Sequence, residues 1–452
     1  MPNKINRRQL LGTSLLATGL TPSVLAQEQG VITSRSLNYE TDIVVCGGGP
    51  AGVAAATNAA RLGCKVLLLE RYGRLGGMGI HARVWPLLGR ARSPFLKEVH
   101  QKIGGSSFDP EITDLHYADF VLNAGGKILL HSWVAEPVSE GNRLTGVKAV
   151  CKEGIINVKA KIVIDATGDA DVAFNAGVPC ETGRDGDGLV QPMSVMFCVE
   201  GVADDAKHCG SEEAARATRI NDDETWESIT TKAQENGELP ATVGVVRTYK
   251  MGRKGKATVN ASQINGLFGT KVEDLTKAEL ECRRQALQIT EFMRRHLPGY
   301  EHCYISHMPS VIGVRETRRI KGLAQLTRED LVSGRKWDNA VVHDATFCLD
   351  IHNPAGGGQA ENQTDTAVQG FAERDKPYDI PLTCLIPQNA ENLLVAGRCI
   401  SGTHVAHSSY RVMNICIAVG AGAGVAAGVA VQDGKALPDV DIKKVQKILG
   451  FE

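Results

Sequence analysis

Charge of either sign is not in excess here: 50 Lys and Arg against 51 Asp and Glu leave a formal net charge of −1 over 452 residues. That balance gives no electrostatic ground for a nucleic acid or an acidic membrane as partner. The twelve cysteines never form a CxxC pair or a zinc-ligand spacing, so neither a disulfide framework nor a cysteine metal site is expected. No CxxCH haem attachment occurs. Cys46, Cys198, Cys348 and Cys416 sit inside apolar runs and read as small buried hydrophobes. No internal repeat or low-complexity segment is visible. One uncharged run, Val412–Val431, approaches membrane-crossing length. It is dense in Gly and Ala, opens on Met413-Asn414 and follows a loop rich in His and Ser, which predicts a buried helix packed on a cofactor or sheet rather than a stable membrane span.

What the chain does contain is a βαβ pattern near its amino end. The apolar strand Asp42–Cys46 leads into Gly47-Gly48-Gly49-Pro50-Ala51-Gly52, an Ala-rich helix to about Gly63, and a second strand Lys65–Leu69 closed by Glu70. Gly47 permits the tight turn, Gly49 lets backbone approach a pyrophosphate, and Gly52 lets helix and strand close on each other, while the helix N-terminus offers free N–H groups to the anion. Glu70 stands where a carboxylate accepts from a ribose 2′-OH. The pattern predicts a dinucleotide site.

Length exceeds what one core usually spans, which predicts more than one domain. Residues 1–26 carry Arg7-Arg8 before a modest apolar stretch and end in Val24-Leu25-Ala26, a pattern resembling a twin-arginine export signal and predicting a periplasmic or extracellular destination. Residues 38–190 are expected to form the first part of the dinucleotide domain, with a helical region from about Phe95 to Ala124, a strand Lys127–Val134, a meander over Leu144–Val150 and Gly154–Lys159, and a buried strand Lys161–Asp165 ending in Ala166-Thr167-Gly168-Asp169. Residues 191–330 are expected to form a substrate domain, with a strand Ser194–Val199, a polar stretch Asp204–Glu238 and a helix Lys277–His296. Residues 331–440 return to the first domain through the strand around Leu393–Val395, Gly397-Arg398 and the Gly/Ala helix, whose N-terminus is aimed at the same crevice.

Taken in order, Gly47–Gly52, Glu70-Arg71, Leu75-Gly76-Gly77-Met78, Ala166–Asp169, Arg315-Glu316-Thr317-Arg318-Arg319-Ile320, Asp350-Ile351-His352-Asn353-Pro354 and Val395–Ser401 resemble the FAD-dependent oxidoreductases related to fumarate reductase and succinate dehydrogenase flavoproteins. The resemblance implies an α/β fold: a glutathione-reductase-type, Rossmann-like FAD-binding domain with an inserted α+β cap. It implies FAD, held non-covalently, with His81 the nearest residue for covalent attachment. By the same motifs Gly47, Gly49, Pro50, Ala51 and Gly52 would hold the pyrophosphate and Glu70 the ribose. Arg71, Gly76, Gly77 and Met78 would line the path to the flavin, Val134 would bond the adenine, and Ala166, Thr167 and Gly168 would flank the nucleotide. Gly397 and Arg398 would close over the pyrophosphate and ribityl, and Arg411, Val412 and Met413 would face the pyrimidine end.

Oxidation by a flavin needs a base; reduction of an activated double bond needs an acid and cations for a carboxylate. His352, His404, Arg315 and Tyr378 are the catalytic candidates, with Arg318 and His407 as further groups. The expected reaction is hydride transfer between flavin N5 and a small polar metabolite, sugar-derived or a hydroxy acid, with an unassigned electron acceptor. Two alternatives stand beside it: a fumarate-reductase-like reductase of an unsaturated acid, marked by a paired-arginine clamp in the cap, and a non-catalytic FAD-binding protein. The chain lacks the His- and Gly-rich segment of fumarate reductases and has no iron–sulfur cysteines.

Overall fold

A computed structural model describes residues 36–105, 108–358 and 376–451. Residues 1–26, where an export signal is expected, lie outside them. Ser36–Glu452 forms one compact unit.

At its centre is a seven-stranded sheet in the order Lys127–Leu129, Val66–Leu69, Leu37–Cys46, Gly154–Asp165, Arg143–Cys151, Trp133–Glu140, with Leu393–Val395 also paired to Gly154–Asp165. The inner strands are parallel and apolar because both of their faces are covered. Gly154–Asp165 is a single strand of 12 residues. The expected break at Lys159–Lys161 is only the point where half-exposed alternation gives way to full burial. Its first half bonds Arg143–Cys151 antiparallel and its last three residues bond Leu393–Val395 parallel, so the meander and the late strand follow one another along the same edge.

Other expectations shift for local reasons. The helical stretch is two helices, Pro94–Ile103 and Pro110–Asn123, the first ending at Gly104 in the left-handed region. Lys127–Val134 divides into Lys127–Leu129 and Trp133–Glu140, because His131 takes φ 53° between them. The polar stretch holds two helices, Glu212–Ala217 and Trp226–Glu235, the latter started by a reciprocal Thr225/Ser228 cap.

The Ala-rich helix Pro50–Arg61 lies against the Gly/Ala helix Met413–Asp433, which is buried from Asn414 to Ala430. Composition follows from contact distance: a Cβ on Gly420 would stand 2.1 Å from the Ala51 carbonyl oxygen, and one on Gly424 2.3 Å from that of Ala55. Length and hydropathy alone would suit this helix to a membrane, but here it is a core element.

A second core gathers between residues 193 and 312 around Phe197, Trp226, Ile289, Phe292, Met293 and Tyr300. It is made by an antiparallel sheet, Arg247–Lys250, Lys256–Asn260, Met196–Glu200 and Tyr304–His307, and by the 25-residue helix Val272–His296. That helix begins five residues before the expected Lys277, where Asp274 caps the preceding turn by accepting from the Phe268 N–H at 2.9 Å. Ala278, Cys282, Ala286, Ile289 and Met293 face inward at helical spacing.

Candidate functional site

The Gly47 turn is built by contact as much as by conformation. Gly47 takes φ 106°, and a Cβ on Gly52 would stand 1.8 Å from the Gly47 carbonyl oxygen. The helix that follows starts at Pro50 with no side-chain cap, leaving its first N–H groups to the cavity in front of it. Glu70 shapes this turn from below: its Oε2 accepts from the Gly48 N–H at 2.6 Å and its Oε1 from the Tyr72 N–H at 2.8 Å.

A second turn, Ala166–Asp169, is held by the buried Asp165. Its Oδ1 accepts from the Thr167 N–H (3.0 Å) and hydroxyl (2.7 Å), and its Oδ2 from the Ala173 N–H (2.9 Å). Burial outweighs these bonds and pushes the Asp165 carboxyl up to about 6. Asp169 then accepts from Arg398 Nη2 at 2.5 Å and the Thr317 hydroxyl at 2.8 Å, which joins the turn to the late strand.

These turns and the N-terminus of the Gly/Ala helix line one cavity of about 600 Å³. Of the expected cofactor residues, Gly47, Gly49, Pro50, Ala51, Glu70, Arg71, Gly77, Met78, Val134, Ala166, Thr167, Gly168, Gly397, Arg398, Arg411, Val412 and Met413 border it. Gly52 and Gly76 do not: Gly52 packs on Gly47, and Gly76 caps the short helix Gly77–His81 in a left-handed conformation. His81 is also outside the lining, its Nε2 bonded to the Arg74 carbonyl at 2.9 Å, and burial lowers its pKa.

The residues present fit a dinucleotide. The Gly/Ala helix, like the first, has no side-chain cap at its start. Arg398 and Arg411, both on the cavity wall, each keep a buried Nε without a protein partner. Trp133 was not foreseen: it borders the cavity beside Val134, is 60% exposed, and has the Arg71 guanidinium 5.6 Å from its ring centroid.

The catalytic candidates divide. Arg315 and His352 border the cavity. His404 and Tyr378 do not, which corrects the expectation that they act beside them. His404 is buried with Nδ1 2.9 Å from Glu316 Oε1, and that carboxylate also takes a contact from Arg319. Tyr378 is buried in the strand Tyr378–Pro381 with its hydroxyl 3.0 Å from the Ser409 Oγ. Arg318 pairs with Asp171 at 2.9 Å, and His407 is buried beside Tyr410.

Around His352 the structure collects groups from three regions. Arg411 Nη2 donates to Asp350 Oδ2 at 3.0 Å, His352 Nε2 lies 3.7 Å from the same oxygen, and Gln191 Oε1 accepts from the His352 N–H at 3.1 Å. Arg315 Nη1 donates to the Pro192 carbonyl at 2.7 Å. Burial, then Arg411 and Arg247, bring the Arg315 guanidinium down to about 9. Burial and Arg315 pull His352 well below the usual imidazole range, so it is neutral at pH 7. Burial would raise the Asp350 carboxyl, but the arginines around it, Arg411, Arg315 and Arg247, hold it at about 2. Arg247 and Tyr249, which complete this wall, were missed. Their i, i+2 spacing on a strand was the available signal, obscured by the polar surroundings.

The profile of FAD dependent oxidoreductases matches residues 42–449. Among curated proteins, the chain is 32% identical over 160 residues to digeranylgeranylglycerophospholipid reductase 1 of Methanopyrus kandleri, an alignment covering 31% of this chain and 43% of that one. It is 31% identical over 175 residues to thiamine thiazole synthase of Methanococcus aeolicus, covering 34% and 64%. The chain thus spans about half the length of these relatives. A geranylgeranyl bacteriochlorophyll reductase-like structure from Thermoplasma acidophilum superposes with a TM-score of 0.47 at 15% identity, over 92% of this chain and 83% of that one. With the family profile matched over most of its length, this chain belongs to the FAD-dependent oxidoreductases and is an enzyme that uses FAD.

Proposed function

We propose that this enzyme oxidises a small polar metabolite that carries an acidic group, a hydroxy acid or a sugar-derived acid, by hydride transfer to FAD. The observation that carries the reading is the neutral His352 on a cavity wall shared with Arg247, Arg315 and Arg411. Arginine forks suit a planar carboxylate, and a neutral imidazole can take the hydroxyl proton. Bound FAD supplies the hydride acceptor at N5 and carries negative charge in its reduced pyrimidine ring.

The chain's own residues divide the remaining work. Uncapped backbone at Ala51 and the Gly47 turn suits the pyrophosphate, Glu70 the ribose, and the Met413 helix end together with Arg411 the reduced ring. Asp350 keeps Arg411 in place and offsets the surrounding cations. We read the 193–312 core as the cap of a glutathione-reductase-type fold and residues 1–26 as a twin-arginine signal delivering the enzyme to the periplasm or beyond.

A second reading has its own support. Arg247 and Arg315 both come from the 191–330 region and both border the cavity, as a reductase of an unsaturated acid would need. Anaerobic titration separates the two. Bleaching of the oxidised flavin band by a hydroxy or sugar acid is expected. Failure to bleach, with reoxidation of the dithionite-reduced protein by an unsaturated acid, would establish the reductase instead. A protein that takes up no FAD would sink both.

A further inference from the structure

Of the arginines that share the cavity wall with His352, two already hold a carboxylate. Arg411 is paired with Asp350 at 3.0 Å, and Arg247 Nη2 donates to Glu212 Oε1 at 3.2 Å, with both members of the second pair largely buried. Arg315 donates to the Pro192 carbonyl, and among the described residues no carboxylate stands within ion-pair reach of it. Arg247, Arg315, Arg411 and Asp350 border the cavity and are close enough to act on one another's ionisation, whereas Glu212 does not border it.

The fold explains why Arg247 faces inward and Glu212 stands behind it. Arg247 lies directly opposite Asn260 in the antiparallel sheet, and Asn260 opposite Met196, so the three form one row on the face that lines the cavity, with Tyr249 two residues along. Glu212 follows Ser211, which caps the helix Glu212–Ala217 and itself borders the cavity. Gly358, at the end of the loop that carries His352, closes on the same carboxylate: a Cβ there would stand 2.9 Å from Glu212 Oε1.

We propose that Glu212 is a positioning residue that sets the charge of the substrate: by neutralising Arg247 it leaves Arg315 as the uncompensated cation, so the site takes a compound with one carboxylate and turns away a compound with two. The inference rests on the reading that the substrate is acidic, and it holds for oxidation and reduction alike. A neutral His352 adds no charge to this wall. One bound carboxylate therefore balances it, and a second would be buried without a partner, at a cost in affinity. Asn260 and Tyr249 offer hydrogen bonds but no charge to the rest of the molecule.

Calorimetric titration of the FAD-loaded full chain with acetate and with malonate, which differ by one carboxylate, tests the proposal. The wild-type enzyme should bind acetate at least as tightly as malonate. Glu212→Gln uncovers Arg247 and should shift the ratio of the two affinities toward malonate by about tenfold or more. Glu212→Asp keeps the charge and should keep the wild-type ratio, and Glu212→Gln/Arg247→Gln, which removes both charges, should restore it. Damage to the fold would weaken both ligands together and would not be undone by removing a second group. A ratio unchanged in Glu212→Gln, or a wild-type enzyme that already prefers malonate, would overturn the inference and leave the acidic substrate standing. A wild-type enzyme that binds neither acid would overturn both.

Discussion

Arg411 Nη2 donates to Asp350 Oδ2 at 3.0 Å and to the Asp350 carbonyl at 3.1 Å, tying the start of the Gly/Ala helix to the loop that presents His352. Cofactor end and substrate end are thereby one rigid arrangement. A change at either residue should be felt on both sides.

His352→Gln should leave flavin binding intact and slow flavin reduction by about 10²- to 10⁴-fold, the usual contribution of a positioned base. Anaerobic stopped-flow at saturating substrate checks it. An unchanged reduction rate would move the base elsewhere.

The depressed pKa of His352 sets a sign for pH dependence. An imidazole neutral in the fold and titrating near 6.5 when unfolded leaves stability fully present above about pH 6.5 and erodes it as pH falls toward the folded value, because the unfolded chain then binds the proton. His407, also buried and lowered by its surroundings, acts in the same direction. Melting temperatures measured from about pH 7.5 down to 5.5 should therefore fall, and fall less steeply in His352→Gln. Flavin reduction should stay level through the usual imidazole range and decline only well below it, where the folded His352 takes up a proton.

Trp133→Ala should weaken FAD binding about tenfold, the worth of one base stacked on an aromatic ring. Flavin mononucleotide has no adenine, so its affinity should not change. Fluorescence titration of the apoprotein with both flavins makes the comparison, and equal losses would show that Trp133 acts on fold rather than on adenine.

Gly420→Ala should lower both melting temperature and FAD affinity. The added methyl would meet the Ala51 carbonyl at 2.1 Å, so the two helices must part or Ala51 must shift, and Ala51 borders the cofactor cavity. Overpacking of this kind costs about 1–3 kcal/mol. Differential scanning calorimetry with and without FAD resolves the two effects; a variant with wild-type affinity would uncouple the helix pair from the turn.

Legibility in the sequence followed the range of the interactions. The Gly47 and Ala166–Gly168 turns were readable because each is a short motif whose backbone requirement is local, while the bonds of Glu70 to the Gly48 and Tyr72 N–H groups were not foreseen. His352 was named from its turn-rich loop, and the structure puts it on the cavity wall. His404 was misplaced because its partner, Glu316, is 88 residues away and nothing near His404 announces it. Arg247 and Tyr249 were hidden because a four-residue strand in a polar region gives too few alternations to show a face.

The tandem placement of the meander and Leu393–Val395 along one edge of Gly154–Asp165 bears on biosynthesis. A ribosome that has delivered only the first 390 or so residues has made the Gly47 turn and Glu70 but neither the strand that completes the sheet nor the helix end at Met413. The cavity that the Gly47 turn and the Met413 helix end both border is therefore complete only in the finished chain.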